Sequence, residues 1–340
     1  MSLPEFSKLR VCVVGDLIAD RYLVAEPSRL SREAPVMVLR QREERLGAGG
    51  AANVARNLQA LGATVEVLGI IGRDVNGREL LRVLGEECIE SSGVESLPGH
   101  KTPTKTRVLA AEPRRSLQQV LRIDDEPEGP PDAAARERLL KRLRERLEQF
   151  DAVILSDYEY GTLDANIGDL VRQAAATGKV CVLDPRENLD DYIGLTALTP
   201  NVGELARFTG SDPDELDDVH ALRAAARVLL VRSQAKWLLV TRGNLGMALF
   251  GGVYSSDGVF VEASGSGDVT DVSGAGDTAA AVFALALAGG LEAQRAMELA
   301  NIASGIVVME NGAATCSSAQ LEAALRTEAH PRASKVGGPA

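Results

Sequence analysis

AVILSDYEYGTLDANIGDLVRQAAATGKVCVLD, residues 152–184, is the stretch from which the fold class can be read. Ala152 to Ser156 is a short apolar run, Leu163 to Thr177 has the length of a helix, and Val180 to Asp184 is a second apolar run. The pattern spells strand, helix, strand, which is the unit of a mostly parallel sheet covered on both faces. Both strands end in polar clusters, Ser156-Asp157-Tyr158 and Asp184-Pro185-Arg186. Ligands of open parallel sheets bind beyond the carboxyl ends of the strands, so the stretch that sets the fold also marks an edge where chemistry is expected.

The same rhythm runs outward in both directions. Upstream lie the strand Arg10–Gly15 (RVCVVG), apolar throughout as in a strand buried on both faces, and the strand Thr64–Ile71. Helices are expected over Asn76–Gly85 and Pro131–Phe150; in the second, Leu139, Leu140, Leu143, Leu147 and Phe150 form one stripe. Its arginines and glutamates read as a solvated face with i,i+4 pairs. Downstream follow a short strand Leu195–Thr199, helices Val202–Thr209 and Asp214–Arg232, and the strand Trp237–Thr241. An antiparallel edge through Met247–Phe250 and Val259–Ala263 and helices Ala275–Ala288 and Leu291–Met309 complete the series. Val36–Gln41, Thr104–Ala111 and Leu117–Ile123 break the rhythm; the last two flank Glu112-Pro113-Arg114-Arg115. They predict a small antiparallel sheet set apart as a lid, with segments near 21–47 and 98–124. The expectation is one α/β domain over residues 1–326, a three-layer sandwich, followed by a disordered polar tail over 327–340.

Composition narrows the function. A net charge of −11 on 340 residues argues against nucleic acid or an anionic membrane as the main partner. Cys12, Cys88, Cys181 and Cys316 are widely spaced, form no CxxC pair and read as free thiols of a reducing compartment. His100, His220 and His330 are too scattered for a zinc cluster. With no signal peptide and no apolar stretch long enough to span a bilayer, a cytoplasmic protein is expected.

The chemistry concentrates in Asp271-Val272-Ser273-Gly274-Ala275-Gly276-Asp277-Thr278, which follows the polar run Ser264 to Gly267 and opens onto an apolar helix. Small residues before a helix leave N–H groups pointing forward, an anion site. Asp277 in that turn would repel a phosphate, which suggests a base facing a substrate hydroxyl while the backbone of Gly274, Ala275 and Gly276 holds a phosphoryl group. A glycine-rich turn capped by an aspartate is the alternative. A second small-residue run, Gly47-Ala48-Gly49-Gly50-Ala51-Ala52-Asn53-Val54-Ala55, leads into a helix. Gly49 and Gly50 would let a ligand approach the backbone, and Asn53 offers a donor and an acceptor to a polyol; close helix–sheet packing is the alternative. Asp16, Asp20, Asp157, Asp184, Asn201, Glu204 and Thr241-Arg242-Gly243 add polar groups at strand ends, more than capping alone requires. Neither GxxxxGK[ST] nor a GxGxxG after the first strand is present, which disfavours a P-loop kinase and a dinucleotide enzyme. Phosphoryl transfer still needs donors, a metal and a base. Asn201 and Glu204 are candidates to order Mg²⁺ through its waters.

These motifs resemble the ribokinase-like (PfkB) carbohydrate kinases. Gly49 to Ala55 with Gly62 and Gly72, Asn201-Val202-Gly203-Glu204, and Asp271 to Asp277 carry the resemblance. It implies a β-lidded α/β/α sandwich, ATP with Mg²⁺ as donor, a sugar hydroxyl as acceptor and Asp277 as base. It also implies that Asp20 binds sugar hydroxyls, that Thr241, Gly243, Gly246 and Asn301 belong to the nucleotide region, and that Asp271 and Ser273 lie in a loop holding a monovalent cation such as K⁺ in many members. A homodimer is expected. Within the family the chain looks most like the kinases of heptose 7-phosphate, from Gly15-Asp16 through Ser28-Arg29-Leu30-Ser31 and Thr104-Lys105-Thr106-Arg107-Val108 to Asp271–Thr278. Lys105 and Arg107 are the expected phosphate contacts, with Arg29 and Arg32 as further candidates. Such kinases are often fused to a nucleotidyltransferase, and this chain is expected to lack that second activity. Glu159-Tyr160 departs from the pattern, since those kinases carry a small residue and then lysine after Ser-Asp-Tyr; Arg186 stands where lysine is usual and keeps the charge.

Overall fold

The computed structural model describes residues 3–111, 117–254, 257–265, 270–310 and 312–328. From the amino end run β1 (Arg10–Gly15), β2 (Leu17–Leu30), β3 (Met37–Gly50), α1 (Ala51–Ala60), β4 (Thr64–Leu68), β5 (Ile70–Gly72), α2 (Val75–Glu86) and β6 (Glu95–Leu97). The middle holds β7 (Thr104–Ala110), β8 (Gln118–Asp125), α3 (Ala133–Arg146), β9 (Ala152–Ser156), α4 (Ala165–Ala176), β10 (Val180–Asp184) and β11 (Ala197–Leu198). The carboxyl part follows with α5 (Val202–Thr209), α6 (Val219–Ser233), β12 (Trp237–Thr241), β13 (Met247–Gly251), β14 (Val259–Val261), α7 (Ala275–Ala288), α8 (Ala293–Val307) and α9 (Ser318–Glu328).

Eight strands form the central sheet in the order β14-β13-β12-β11-β10-β9-β1-β4. The pairs from β12 to β4 are parallel, and β13 and β14 close one edge antiparallel. Successive side chains of a strand point to opposite faces, so one strand feeds two cores. Val11 and Val13 enter the core packed by α1, α7 and α8, whereas Cys12 and Val14 enter the one packed by α3, α4 and α6. Helix α7 is apolar all round because it is enclosed; Ala279 through Ala286 are all 0% exposed. Among the described residues no helix is long and apolar enough to cross a membrane.

A second, four-stranded sheet has the order β3-β2-β7-β8 and forms the lid. It is larger than the sequence suggested. Only Asp16 separates β1 from the 14-residue β2, so Asp20 lies inside a lid strand, not at the end of the first core strand. Charges at Asp20, Arg21 and Glu26 obscured that strand; its partners are the following strand β3, antiparallel, and the distant β7, parallel. Other boundaries also shift. The expected strand Thr64–Ile71 is two strands broken at Gly69, and Asp214–Arg232 is a 3₁₀ turn followed by α6, capped by Asp218. Helix α9 was not foreseen, and it places Thr327 and Glu328 in a helix instead of a tail. Glu112-Pro113-Arg114-Arg115, Gly267 and positions 329–340 of the expected tail lie outside the described residues.

Candidate active site

The site begins with a buried carboxylate that builds a loop. Asp16, 1% exposed, accepts the N–H groups of Tyr158 (2.8 Å), Tyr160 (3.0 Å) and Thr162 (3.1 Å). Hydrogen bonds to a charged acceptor contribute about 1.5–3 kcal/mol each, enough to fix the loop after β9. The loop turns Tyr158 inward and Asp157 away. Asp157 accepts the Glu159 N–H (2.9 Å), and burial pushes its carboxyl up to about 6. It does not line the cavities of the site, contrary to the expectation of a substrate contact. Glu159 and Tyr160 also face elsewhere. The Glu159 carboxylate lies 3.8 Å from Arg207, and the Tyr160 hydroxyl donates to Glu126 at 2.8 Å.

Helix α7 delivers Asp277. Gly274 caps it with φ +80°, a left-handed conformation that disfavours any side chain, and a Cβ there would come within 2.5 Å of Asn53 Nδ2. The Asp277 carboxylate is 6% exposed and receives two donors, Tyr158 Oη at 2.6 Å and Asn53 Nδ2 at 2.8 Å. Burial raises its proton affinity above that of an ordinary aspartate, and the two donors oppose that rise. Asn53 thus donates to Asp277, where the sequence reading offered it to a polyol. Gly49 acts through space as well: a Cβ there would lie 2.6 Å from Asp20 Oδ2.

Three cavities meet end to end along this edge. The first, about 620 Å³, is lined by Thr241, Gly243, Gly246, Gly276 and Asn301, whose amide donates to the Glu262 carbonyl at 2.8 Å. The second, about 220 Å³, shares Thr241, Val272 and Gly276 with it. The third, about 80 Å³, is lined by Asp20, Gly50, Lys105, Arg107 and Ser273. Tyr158, Gly274 and Asp277 are common to the second and third.

The middle cavity is acidic. Asp184, Glu204 and Asp277 line it, with Arg186 as the basic residue in its wall. Asn201 and Glu204 form a reciprocal capping box at the start of α5: Glu204 N–H donates to Asn201 Oδ1 (2.9 Å) and Asn201 N–H to Glu204 Oε2 (2.8 Å). The other Glu204 oxygen pairs with Arg186. Asp184 accepts Thr199 Oγ1–H at 3.1 Å, and burial, then the charges of Glu204 and Asp277, push its carboxyl well above the usual range. All-oxygen donors with excess negative charge fit a hard divalent cation. Among the described residues no cluster of three His, Cys, Asp or Glu forms a preassembled metal cage.

In the small cavity Asp20 is ion-paired with Arg107. Lys105 has no carboxylate partner among the described residues; its Nζ lies 5.2 Å from the centre of the Tyr158 ring, and burial lowers its pKa. Arg186 Cζ lies 4.6 Å from the same ring. Asp271 accepts the N–H of Ser273 (2.9 Å) and of Gly312 (3.0 Å), so its carboxylate joins two loops. Burial works against its charge, but these donors outweigh it and hold the carboxyl below the usual range. The sequence reading missed Tyr158 as a site residue. Its signal was the same Ser-Asp-Tyr cluster from which Asp157 was chosen.

Comparison with known proteins follows from this geometry. The chain is 37% identical over 97% of its length to the bifunctional protein HldE of Trichlorobacter lovleyi, covering 65% of that protein. It is 39% identical over 98% of its length to HldE of Methylococcus capsulatus, covering 67% of it. The chain therefore spans about two thirds of the length of these curated relatives. Among solved structures, Arabidopsis thaliana ribokinase complexed with ribose and ATP superposes with a TM-score of 0.69 at 21% identity, covering 96% of this chain and 99% of that one. Escherichia coli phosphofructokinase-2 in complex with potassium gives 0.73 at 17% identity, covering 95% and 100%. These two establish the ribokinase-like fold. Residues 8–320 match the pfkB family of carbohydrate kinases, and with relatives near 40% identity along nearly its whole length, the chain belongs to that family.

Proposed function

We propose that the chain transfers the γ-phosphoryl group of ATP to the anomeric hydroxyl of D-glycero-D-manno-heptose 7-phosphate. The observation that carries the phosphoryl-transfer reading is the row of three cavities with Asp277 at the junction of the last two. The largest takes the nucleotide, with Thr241, Gly243, Gly246 and Asn301 in its walls. Phosphates extend into the acidic cavity, where Mg²⁺, ordered by Asn201 and Glu204 through water, neutralises phosphate charge when bound. Beyond its own helix, Gly276 has no protein atom within 4 Å of where a Cβ would be, so its missing side chain leaves room for a ligand instead of for packing. Backbone N–H groups at Gly274, Ala275 and Gly276 hold the transferring group. Asp277, buried and raised in proton affinity, accepts the proton of the acceptor hydroxyl.

The heptose phosphate rests on the likeness to HldE and on Lys105. Asp20 neutralises Arg107, which leaves Lys105 as the available cation of the small cavity. Asp20, with Gly49 and Gly50 behind it, binds sugar hydroxyls. Because Glu159 and Tyr160 face Arg207 and Glu126, their departure from the family pattern leaves this pocket's charge intact. A K⁺ ion in the loop of Asp271 and Ser273 is proposed from the potassium-bound phosphofructokinase-2 alone. We also propose a cytoplasmic homodimer, in which a second copy covers exposed apolar lid residues such as Leu121 (53% exposed) and Ile123 (51%). A kinase of another sugar or sugar phosphate is the second reading, and a non-catalytic binder is disfavoured by the intact Asp277 centre.

The test is a panel of sugars and sugar phosphates scored for ATP consumption. Heptose 7-phosphate is expected to give the highest kcat/KM. A better neutral sugar would overturn the acceptor, and no ATP consumption with any acceptor would overturn the kinase reading.

A further inference from the structure

Tyr158 is a large aromatic residue that belongs to neither hydrophobic core. Its loop is held rigidly by the three N–H bonds to Asp16, and its side chain reaches back to the edge of the sheet. The hydroxyl donates to Asp277 Oδ1 at 2.6 Å, while Asn53 occupies Oδ2 at 2.8 Å. The donors come from different elements, the loop after β9 and helix α1. Two bonds from two directions fix the plane of a carboxylate that a single bond would leave free to swing. The ring has a second task. It carries Lys105, on lid strand β7, at 5.2 Å and Arg186, beyond β10, at 4.6 Å. Such cation–ring contacts contribute about 0.5–2 kcal/mol each. The ring and Asp277 together form the wall between the middle and small cavities.

We propose that Tyr158 is the positioning residue of the Asp277 base: its hydroxyl orients the carboxylate toward the acceptor, and its ring forms the partition across which the phosphoryl group passes. The inference rests on the kinase reading for its role in turnover, but not for the hydrogen bond itself. Tyr158 does not compete for the proton. Burial, then the neighbouring Asp277 charge, push its phenol well above the usual value, so it stays a donor. The charged groups facing Asp277 are Arg186, Asp184 and Glu204 from the middle cavity and Asp20, Lys105 and Arg107 from the small one. Those groups are unchanged when the phenol hydroxyl alone is removed.

Tyr158→Phe keeps the ring and deletes the donor. With the best acceptor of the panel, kcat should fall about tenfold or more, while acceptor KM changes less than about threefold. Loss of a donor to the charged form should raise the Asp277 pKa by about one unit, shifting the acid limb of the kcat profile upward by the same amount. A residue that merely packs would lower apparent kcat through the folded fraction and leave KM, the acid limb and the Asp277 NMR pKa in place, so the limb and the NMR pKa decide. The second readout needs no acceptor: the Asp277 carboxyl titration by ¹³C NMR in full-length protein, assigned with Asp277→Asn. An unshifted NMR pKa in Tyr158→Phe, or an unshifted limb with wild-type kcat, overturns the proposal. A shifted NMR pKa in a protein that phosphorylates no sugar sinks the kinase reading and leaves Tyr158 as the group that orients Asp277.

Discussion

Strands β1 and β8 both carry β-branched residues, yet β1 is buried from Val11 to Gly15 while every residue of β8 is exposed. The difference separates a frame from a lid. In the central sheet each residue pays into one of two cores, and the loops at its carboxyl edge inherit that rigidity. Most of the lid sheet lacks such cover: β8 is exposed throughout and β3 through its middle, with burial confined to the earlier part of β2, the end of β3 and the two ends of β7. The carboxylate proposed as the base, Asp277, belongs to the frame, through α7. The proposed acceptor contacts, Asp20, Lys105 and Arg107, belong to the lid, and they share a cavity with Asp277 where the two sheets meet.

Hydrogen exchange tests that division most directly. Amides of β1 and β9 should exchange about a thousandfold or more slowly than those of β7 and β8, because opening costs range from nearly nothing to the global stability. Adding acceptor should slow β2, β3, β7 and β8 as the lid closes over sugar and excludes water. Equal protection in both sheets without ligand would end the comparison.

On the frame side, Asp277→Asn keeps size and hydrogen bonding but removes proton acceptance. Turnover should fall about 100-fold or more with nucleotide affinity little changed. The wild-type rate should be lost as pH falls through the Asp277 pKa, which lies above the ordinary aspartate value because the fold is reluctant to hold its charge. Near wild-type turnover in the variant would remove Asp277 from the mechanism.

On the lid side, Lys105→Ala should raise KM for a phosphosugar about tenfold, as loss of one charge-assisted hydrogen bond implies, and barely affect a neutral sugar. An equal loss for both classes of acceptor would show that Lys105 supports Tyr158 and not a phosphate.

The smallest effect is expected at Asp157, buried in the frame but turned from the site. Asp157→Asn should leave kcat within about twofold, as for a substitution away from the reacting groups. Its folded pKa of about 6 lies above the usual aspartate value of 3.8, so its contribution to stability is complete below that value and declines as pH rises through 6. The variant should therefore lose less melting temperature than wild type between pH 4 and 7. An identical pH dependence would place the charge elsewhere.

The frame was legible because its signals are local. RVCVVG, AVILS and VCVLD are apolar runs that no solvent-facing segment would carry, and the Gly274–Asp277 turn announces itself by composition. The lid was only half legible. Strand β2 reads LIADRYLVAEPSRL, a mixture of periods and charges, because it is buried on both faces at its start and exposed at its end. Helix α9 has a weak stripe and was missed for the same reason: it packs at the margin, through residues such as Leu321.

Sequence alone determined the α/β class and the family and singled out the proposed base, because buried periodicity and a glycine turn before a helix are properties of neighbouring residues. It could not determine which polar groups meet. Asp157 and Tyr158 are adjacent in the chain, and the choice between them was made by Asp16, 142 positions away from Tyr158, whose carboxylate bends the loop. Asn53 and Asp277, separated by 224 positions, became partners because α1 and α7 lie against each other on the same face of the sheet. Hydrogen-bond direction depends on where the backbone has been carried, and only long-range packing sets that.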